Sequence, residues 1–166
     1  MIVLLTGCVP AGSSLLTPHE HGWISTYSTG EVFSDGMEVL AVTDGPITLK
    51  DVRTIAPSGV TQLGFKVTPG DEFREDVIQQ MEGFPPAVDD LQDGQGAILG
   101  ADGKREDWWL IIGYEVETDQ RWERTGLEIL YEKGGMLFRQ EFPATLIVCG
   151  SSISEEDCWD ERLGER

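Results

Sequence analysis

The chain has 166 residues, of which 40% are hydrophobic, and its 30 acidic residues against 12 basic ones give a formal charge of −18. This length suffices for one ordinary globular domain and hardly for two. A surface so acidic repels phosphate backbones, which argues against a nucleic-acid-binding protein, and it is more typical of a highly soluble surface than of recruitment of cations or basic partners.

The N-terminal residues include Leu5-Thr6-Gly7-Cys8, in which an apolar residue and two small residues precede a cysteine. This pattern resembles the lipobox of bacterial lipoproteins, where a peptidase cuts before the cysteine and the thiol carries a diacylglyceryl group. The resemblance implies a lipid anchor on Cys8 and a location on the outer face of the cell membrane. No run approaches the roughly 18 apolar residues of a spanning helix, so we expect membrane contact through the lipid alone.

The segment before the cysteine departs from a complete signal peptide. Residues 1–7 contain no Lys or Arg, whereas a signal peptide has a positive start and an apolar region of about 7–15 residues. We interpret residues 1–7 as the remaining part of a signal peptide whose true start lies upstream. The alternative is an ordinary apolar N-terminus with a chance cysteine.

Residues 8–30 are predicted to form a flexible tether. Pro10-Ala11-Gly12-Ser13-Ser14 is small and flexible, as a membrane tether requires. His19-Glu20-His21 offers two imidazoles and a carboxylate, but an i, i+2 pair in an extended segment is weakly preorganised for a metal. We therefore interpret this triplet as a polar surface patch and predict no cofactor.

Strands are predicted from residue 37 onward, because apolar residues alternate with polar ones. They cover Met37–Thr43, then Ile47–Val52 after the turn Asp44-Gly45-Pro46, and Val60–Val67 after a second turn. The alternation fails between about residues 68 and 104. This stretch is predicted to be an irregular insertion with one short helical segment around Arg74–Met81.

The insertion contains four aspartates that resemble a calcium loop, namely Asp89, Asp90, Asp93 and Asp102. An EF-hand starting at Asp89 needs a ligand where Leu91 stands and a bidentate Glu where Gly100 stands. The motif therefore fails, and no metal site is predicted.

The second half of the chain has clearer strands. Asp107–Glu117 is strongly apolar, and the two glycines of Lys133-Gly134-Gly135 tolerate the positive φ of a tight hairpin. The strand Trp122–Tyr131 is therefore expected to pair, through Leu127–Tyr131, antiparallel with Leu137–Phe142. Ala144–Cys149 follows Pro143, which marks a bulge or an edge.

Six to eight short strands without βαβ alternation predict an all-β fold, namely an immunoglobulin-like antiparallel β-sandwich over residues 31–150. Residues 151–166 are expected to form an acidic C-terminal tail.

A second resemblance concerns the strands and turns of the domain. The residues that carry it are Gly113-Tyr114, Gly126-Leu127-Glu128-Ile129-Leu130-Tyr131, Gly134-Gly135, Leu146-Ile147-Val148-Cys149, and Asp51-Val52-Arg53 after Pro46. Together they are similar to small, largely uncharacterised lipoproteins of high-GC Gram-positive bacteria. Since these residues are structural in character, the resemblance implies a fold and a location and carries no catalytic residues.

With Cys8 assigned to a lipid, Cys149 and Cys158 remain, and we predict a disulfide between them. In the loop-entropy model a ring of about ten residues stabilises a fold by roughly 2.5 kcal/mol. A zinc site would need four ligands, and a redox Cys-x-x-Cys has a different spacing, so both rank lower.

Trp108, Trp109 and Trp122 are candidates for a binding face. Because strand residues alternate between faces, one of the adjacent pair Trp108 and Trp109 is expected to point away from the core. An outward tryptophan would suit glycan stacking or a protein partner. The favoured alternative is that it packs under the insertion.

No motif of nucleophilic catalysis is present, neither Gly-x-Ser-x-Gly nor Ser-x-x-Lys, and a phosphate-binding glycine loop is also missing. We therefore predict a non-catalytic, lipid-anchored structural or protein-interaction module of the cell envelope. The alternative is a carrier or sensor of a small ligand, a sugar or a metal, bound between the sandwich and the insertion. A hydrolase would require a buried carboxylate pair or a histidine beside a nucleophile.

Overall fold

The structure is a computed structural model that describes residues 10–12, 14–16, 22–56, 58–70, 81–101, 106–154 and 156–158. Within these residues, two β-sheets pack face to face around one main core, which confirms the predicted all-β sandwich. The strands are β1 (Leu15–Leu16), β2 (Gly22–Tyr27), β3 (Val32–Val42), β4 (Ile47–Ile55), β5 (Val60–Pro69), β6 (Met81–Glu82), β7 (Gln92–Asp93), β8 (Ile98–Leu99), β9 (Glu106–Val116), β10 (Trp122–Lys133) and β11 (Met136–Gly150).

The first sheet, here called the β9 sheet, has the order β1-β3-β9-β5-β7, with β6 also paired to β3. The second, the β10 sheet, has the order β2-β11-β10-β4-β8. One pair departs from the predicted antiparallel arrangement, since β2 runs parallel to β11. The chain reaches β2 from β1 in the other sheet, so no hairpin turn imposes an antiparallel direction on this pair.

The predicted tether is wrong for much of residues 8–30. Ala11 forms a bridge with Arg139, β1 pairs with β3, and six residues of β2 pair with β11. Leu15 is fully buried, so its apolar side chain and the backbone pairing hold this segment to the sandwich. Cys8 and the triplet His19–His21 lie outside the described residues.

The hairpin of β10 and β11 is as predicted. Leu127 pairs with Phe142, and Tyr131 pairs with Phe138. The register of this hairpin shifts between the pairs Arg124–Leu146 and Gly126–Pro143, where β11 has one residue more than β10. Of the two features that Pro143 was expected to mark, a bulge or an edge, the structure shows a bulge. The bulge changes which side chains of β10 face the core, with consequences for the site described below.

The described part of the insertion, residues 81–101, packs on the outer face of the β9 sheet, where Met81, Val88 and Leu91 contact Trp109 and Ile111. It contains β6, β7 and β8, so it is more regular than predicted. Residues 71–80, which hold nearly all of the predicted helical segment, and Asp102 lie outside the described residues. Phe84 packs over Gly113, where a Cβ atom would collide with the aromatic ring.

The C-terminal segment is held against the β10 sheet by a disulfide between Cys149 and Cys158, whose Cα atoms lie 6.2 Å apart. Both cysteines are buried with Ile147, and Ile153 packs against them. The predicted disulfide is therefore present in the structure, and it fixes the first part of the acidic tail. Among the described residues, no helix has the length and apolar character needed to cross a membrane.

Candidate functional site

The main concentration of buried charge lies between the two sheets, around Arg124 of β10. Its side chain is fully buried. Before the bulge, Trp122 and Arg124 face the core, whereas after it Leu127 and Ile129 do so. The ladder is irregular here because β11 has one residue more than β10 between the pairs Arg124–Leu146 and Gly126–Pro143, and this irregularity places a charged side chain among apolar neighbours.

Two carboxylates approach Arg124 from β3 in the opposite sheet. Asp35 and Glu38 are three residues apart, a spacing that places side chains on opposite faces of a regular strand. A bulge between these two residues resets the alternation, so both point inward. Their exposed fractions are 1% and 6%.

Arg124 uses all three of its guanidinium nitrogens within the core. Nη1 donates to Asp35 Oδ2 at 2.6 Å, and Nη2 donates to Glu38 Oε1 at 2.8 Å. Nε donates to the carbonyl oxygen of Ala144 at 2.8 Å, while Nη1 also donates to Tyr114 Oη at 3.2 Å. The guanidinium therefore links β3 and β9 of one sheet to β10 and β11 of the other.

The network continues from Tyr114 to the edge of the β10 sheet. Tyr114 Oη and Thr54 Oγ1 are 2.8 Å apart, and Thr54 Oγ1 donates to Gln62 Oε1 at 2.9 Å. Gln62 also accepts from the backbone N–H of Thr54 at 2.9 Å and donates to the carbonyl of Val52 at 2.6 Å. Its amide thus occupies the position that a neighbouring strand would take beside β4.

One guanidinium faces two carboxylates, and the charges are unevenly matched. Burial raises the pKa of Glu38 to about 7, although Arg124 opposes this rise and Asp35 adds to it. Burial disfavours the charged form of Arg124, but Asp35, Tyr114 and Glu38 outweigh it and raise the pKa of Arg124 above its ordinary value. Burial also raises the pKa of Tyr114. Arg124 therefore stays charged, whereas Glu38 changes protonation near neutral pH.

Asp35 and Glu38 are a buried carboxylate pair, which a hydrolase would require, but their arrangement does not suit hydrolysis. Both carboxylates are bound to the same guanidinium, and the side chains are almost completely removed from solvent. The cluster joins the two sheets, because each of its charged side chains is hydrogen-bonded to another member of the cluster. Sequence reasoning missed it, although Arg124 stands two residues after Trp122, at a position where strand alternation predicts an inward side chain.

The three predicted tryptophans lie inside the protein. Trp108 and Trp122 belong to the main core, with exposed fractions of 9% and 2%. Trp109 points to the other face of the β9 sheet, as alternation requires, but Met81, Val88 and Leu91 cover it and leave 8% exposed. The expectation of an outward tryptophan face is corrected accordingly, and the alternative of packing under the insertion is confirmed.

The described aspartates of the insertion do not come together in the geometry of a metal site. Asp93 forms an ion pair with Lys66 of β5, while Asp89 and Asp90 are exposed. Within the part of the chain that the structure describes, no group of three or more His, Cys, Asp or Glu side chains has the geometry of a metal site.

Among the surface grooves lined by described residues, two lie beside the insertion. One, of about 370 Å³, lies at the junction of β5 and the insertion and is lined by Leu63, Gly64, Phe65, Lys66, Phe84, Asp93, Gly94 and Gln95. The other, of about 800 Å³, is lined by Thr26, Tyr27, Gly30, Glu31, Val32, Glu82 and Gly83. Neither groove reaches Arg124 or its two carboxylates.

Comparison with known proteins adds no family to these observations. No protein-family model matches the chain, and a search of curated proteins gave no significant match.

Proposed function

We propose that this protein is a non-catalytic, lipid-anchored component of the cell envelope that acts as a structural or protein-interaction module. The observation that carries the proposal is the disulfide between Cys149 and Cys158, which lies at the end of β11. Disulfides of this structural kind persist in oxidising compartments and are rare in the cytosol. A location outside the cytoplasm agrees with the lipobox-like sequence at Cys8.

The use of the buried charges supports a non-catalytic role. A general acid or base must come within hydrogen-bond distance of its substrate. Asp35 and Glu38 instead bind Arg124 at 2.6 and 2.8 Å and lie between the sheets. Among the described residues, Glu38 and Arg124 have large pKa shifts, and both side chains join the two sheets.

An intact-mass measurement tests the location and the anchor together. The protein is extracted from membranes of its own host, after expression from its chromosomal locus, and is measured before and after reduction and alkylation. We expect a chain that begins at Cys8, carries added acyl mass and gains two alkyl groups only after reduction. A Cys8→Ser variant is the matched control and is expected in the soluble fraction without acyl mass. An unlipidated wild-type chain with three free thiols would overturn the proposal.

A second candidate, a carrier of a small polar ligand such as a sugar, is favoured by the groove at the junction of β5 and the insertion. Its volume of about 370 Å³ falls in the range of small-molecule sites. Phe84 supplies a ring, and the Lys66–Asp93 pair supplies polar groups at its rim. Titration with a panel of sugars, followed by nuclear magnetic resonance, would then shift signals of these residues in the wild type and less in Asp93→Ala. If no sugar of the panel shifted these signals, the carrier function would be excluded and the structural or interaction module would remain as the proposed function.

A further inference from the structure

One end of the sandwich combines several exposed apolar side chains. It is formed by the turn between β10 and β11, the start of β4, and β8, and we call it the Met136 pole. Met136 and Ile98 are 61% and 59% exposed, and Leu137 is 38% exposed. Only Ile55 and Leu63 complete the set of exposed large hydrophobic residues within the described ranges. The two most exposed members of the set therefore lie at the same end.

The N-terminal segment enters the sandwich beside this pole. Arg139 donates its backbone N–H to the carbonyl of Pro10 at 3.0 Å, and Gly12 donates to the carbonyl of Arg139 at 2.7 Å. The bridge between Ala11 and Arg139 is parallel. Going back from Ala11 to Pro10 therefore moves along β11 from Arg139 toward Met136.

The length of chain between the cysteine and this contact is short. Cys8 stands two residues before Pro10, and two residues span at most about 7 Å. A lipid on Cys8 would therefore hold Arg139 and the adjoining turn within a short distance of the bilayer surface. A flexible tether of some twenty residues would have imposed no such restriction.

The distribution of charge agrees with this orientation. The pole carries Lys50, Lys133 and Arg139, and these cations are paired with Glu132, Asp44 and Glu128 at 2.9, 2.7 and 3.4 Å. The opposite end of the sandwich, around the start of β10, is acidic and includes Glu31, Glu115, Glu117 and Asp119. An anionic bilayer repels the acidic end more strongly than the paired charges of the Met136 pole.

We propose that the Met136 pole rests on the lipid bilayer, with Met136, Leu137 and Ile98 at the boundary between headgroups and acyl chains. This inference rests on the proposed lipid anchor at Cys8. Exposed apolar side chains that enter this boundary add to the membrane affinity of the lipid anchor. The acidic end then faces away from the membrane, where it is accessible to partners.

The test uses a fluorescent label, because the lipid blocks Cys8 and the disulfide blocks Cys149 and Cys158. A cysteine introduced in lipidated protein is then the single free thiol, and it is labelled with an environment-sensitive nitrobenzoxadiazole dye. Met136→Cys and Ile98→Cys report on the pole. Gln120→Cys is the control, since this exposed residue lies before the start of β10, roughly 35 Å from the turn.

The labelled proteins are reconstituted in vesicles of phosphatidylglycerol and phosphatidylethanolamine, with and without doxyl-labelled lipid. We expect blue-shifted emission and at least two-fold quenching by doxyl lipid at positions 98 and 136, with no change at position 120. Equal quenching at all three positions, or stronger quenching at position 120, would overturn the orientation.

The mass of each protein, measured before reconstitution, separates the two proposals. If Cys8 carried acyl mass but the labels at positions 98 and 136 were not quenched, the membrane contact of the Met136 pole would be wrong and the lipid anchor would stand. A chain without acyl mass would overturn the anchor and the orientation that depends on it.

Discussion

The buried guanidinium of Arg124 forms ion pairs with two buried carboxylates, those of Asp35 and Glu38. Breaking such a pair by removing one partner costs about 3–5 kcal/mol, because the other charge is left uncompensated. With Asp35 and Glu38 both ionised, the cluster carries one excess negative charge away from water. Burial is the main reason that the pKa of Glu38 is raised to about 7, and the repulsion by Asp35 adds to the rise because protonation of Glu38 removes the excess charge.

Glu38→Gln is predicted to remove part of the pH dependence of stability. The pKa of Glu38 rises from 4.5 to about 7 on folding, so between these values the native state holds a proton that the unfolded chain has lost. The stabilising contribution is complete below about pH 4.5 and is lost as the pH rises through 7, by roughly 3 kcal/mol at most. Urea denaturation at several values between about pH 5 and pH 8 should show a smaller fall for the variant than for the wild type.

The matched control for this substitution is Glu141→Gln, which changes an exposed glutamate of β11. This substitution removes one negative charge, as Glu38→Gln does, but it removes the charge from the surface and leaves the core unchanged. We expect it to keep the slope of the wild type. If both variants changed the slope equally, general charge repulsion would explain the effect, and the role given to Glu38 would be wrong.

At the scale of the strands, Gln62 is the notable element, because its side chain closes an open sheet edge. Gln62→Ala removes the partners of the Thr54 N–H and the Val52 carbonyl. We expect a loss of about 1–2 kcal/mol in the free energy of unfolding, since these groups are left without their hydrogen bonds. We also expect concentration-dependent self-association, because unpaired strand edges pair with other chains.

Sedimentation velocity over a range of concentrations measures this association. Gln120→Ala, at an exposed turn, serves as the control and is expected to stay monomeric to the same extent as the wild type. A monomeric Gln62→Ala variant of unchanged stability would show that the amide does not protect the edge.

The insertion depends on a close approach of Phe84 to the β9 sheet. Gly113→Ala would place a methyl group where the ring of Phe84 lies, so we predict weaker docking of residues 81–101. Hydrogen exchange should be faster in this segment, while the core of β10 and β11 keeps its protection. Phe84→Ala in the same chain removes the obstructing ring and should reduce the cost of the added methyl group. If the two substitutions were additive, this contact would not be the cause.

The sequence predicted the elements whose signals are local. The Lys133-Gly134-Gly135 turn defined the β10–β11 hairpin, and the spacing of Cys149 and Cys158 defined the disulfide, because both depend on neighbouring residues. Two pairings were missed, that of β1 with β3 and that of β2 with β11. The second joins positions more than one hundred residues apart, which no local signal reveals. The Arg124 cluster was missed for a related reason. The bulges in β3 and in the β10–β11 ladder shift the alternation, so counting back in twos from Leu127 places Arg124 on the outer face, and only counting from Trp122 places it inside.

On the scale of the whole molecule, the formal charge of −18 acts on every element at once. Its carboxylates repel one another in the compact state, whereas the unfolded chain separates them. The exposed ion pairs, such as Lys50 with Glu132 and Arg53 with Glu128, contribute little individually. Repulsion is therefore expected to dominate the surface electrostatics.

Added salt is predicted to stabilise the protein for this reason. Raising sodium chloride from about 0.02 M to 0.5 M shortens the Debye length to a few ångströms, which screens repulsion across the surface and should increase the free energy of unfolding by on the order of 1 kcal/mol. The buried Arg124 pairs are screened much less, so they oppose this gain only weakly. Urea denaturation at pH 7 measures the change, and the same experiment near pH 4 is its control, because many carboxylates are then neutral and the gain should shrink. A loss of stability with salt at pH 7 would mean that surface ion pairs, rather than repulsion, dominate.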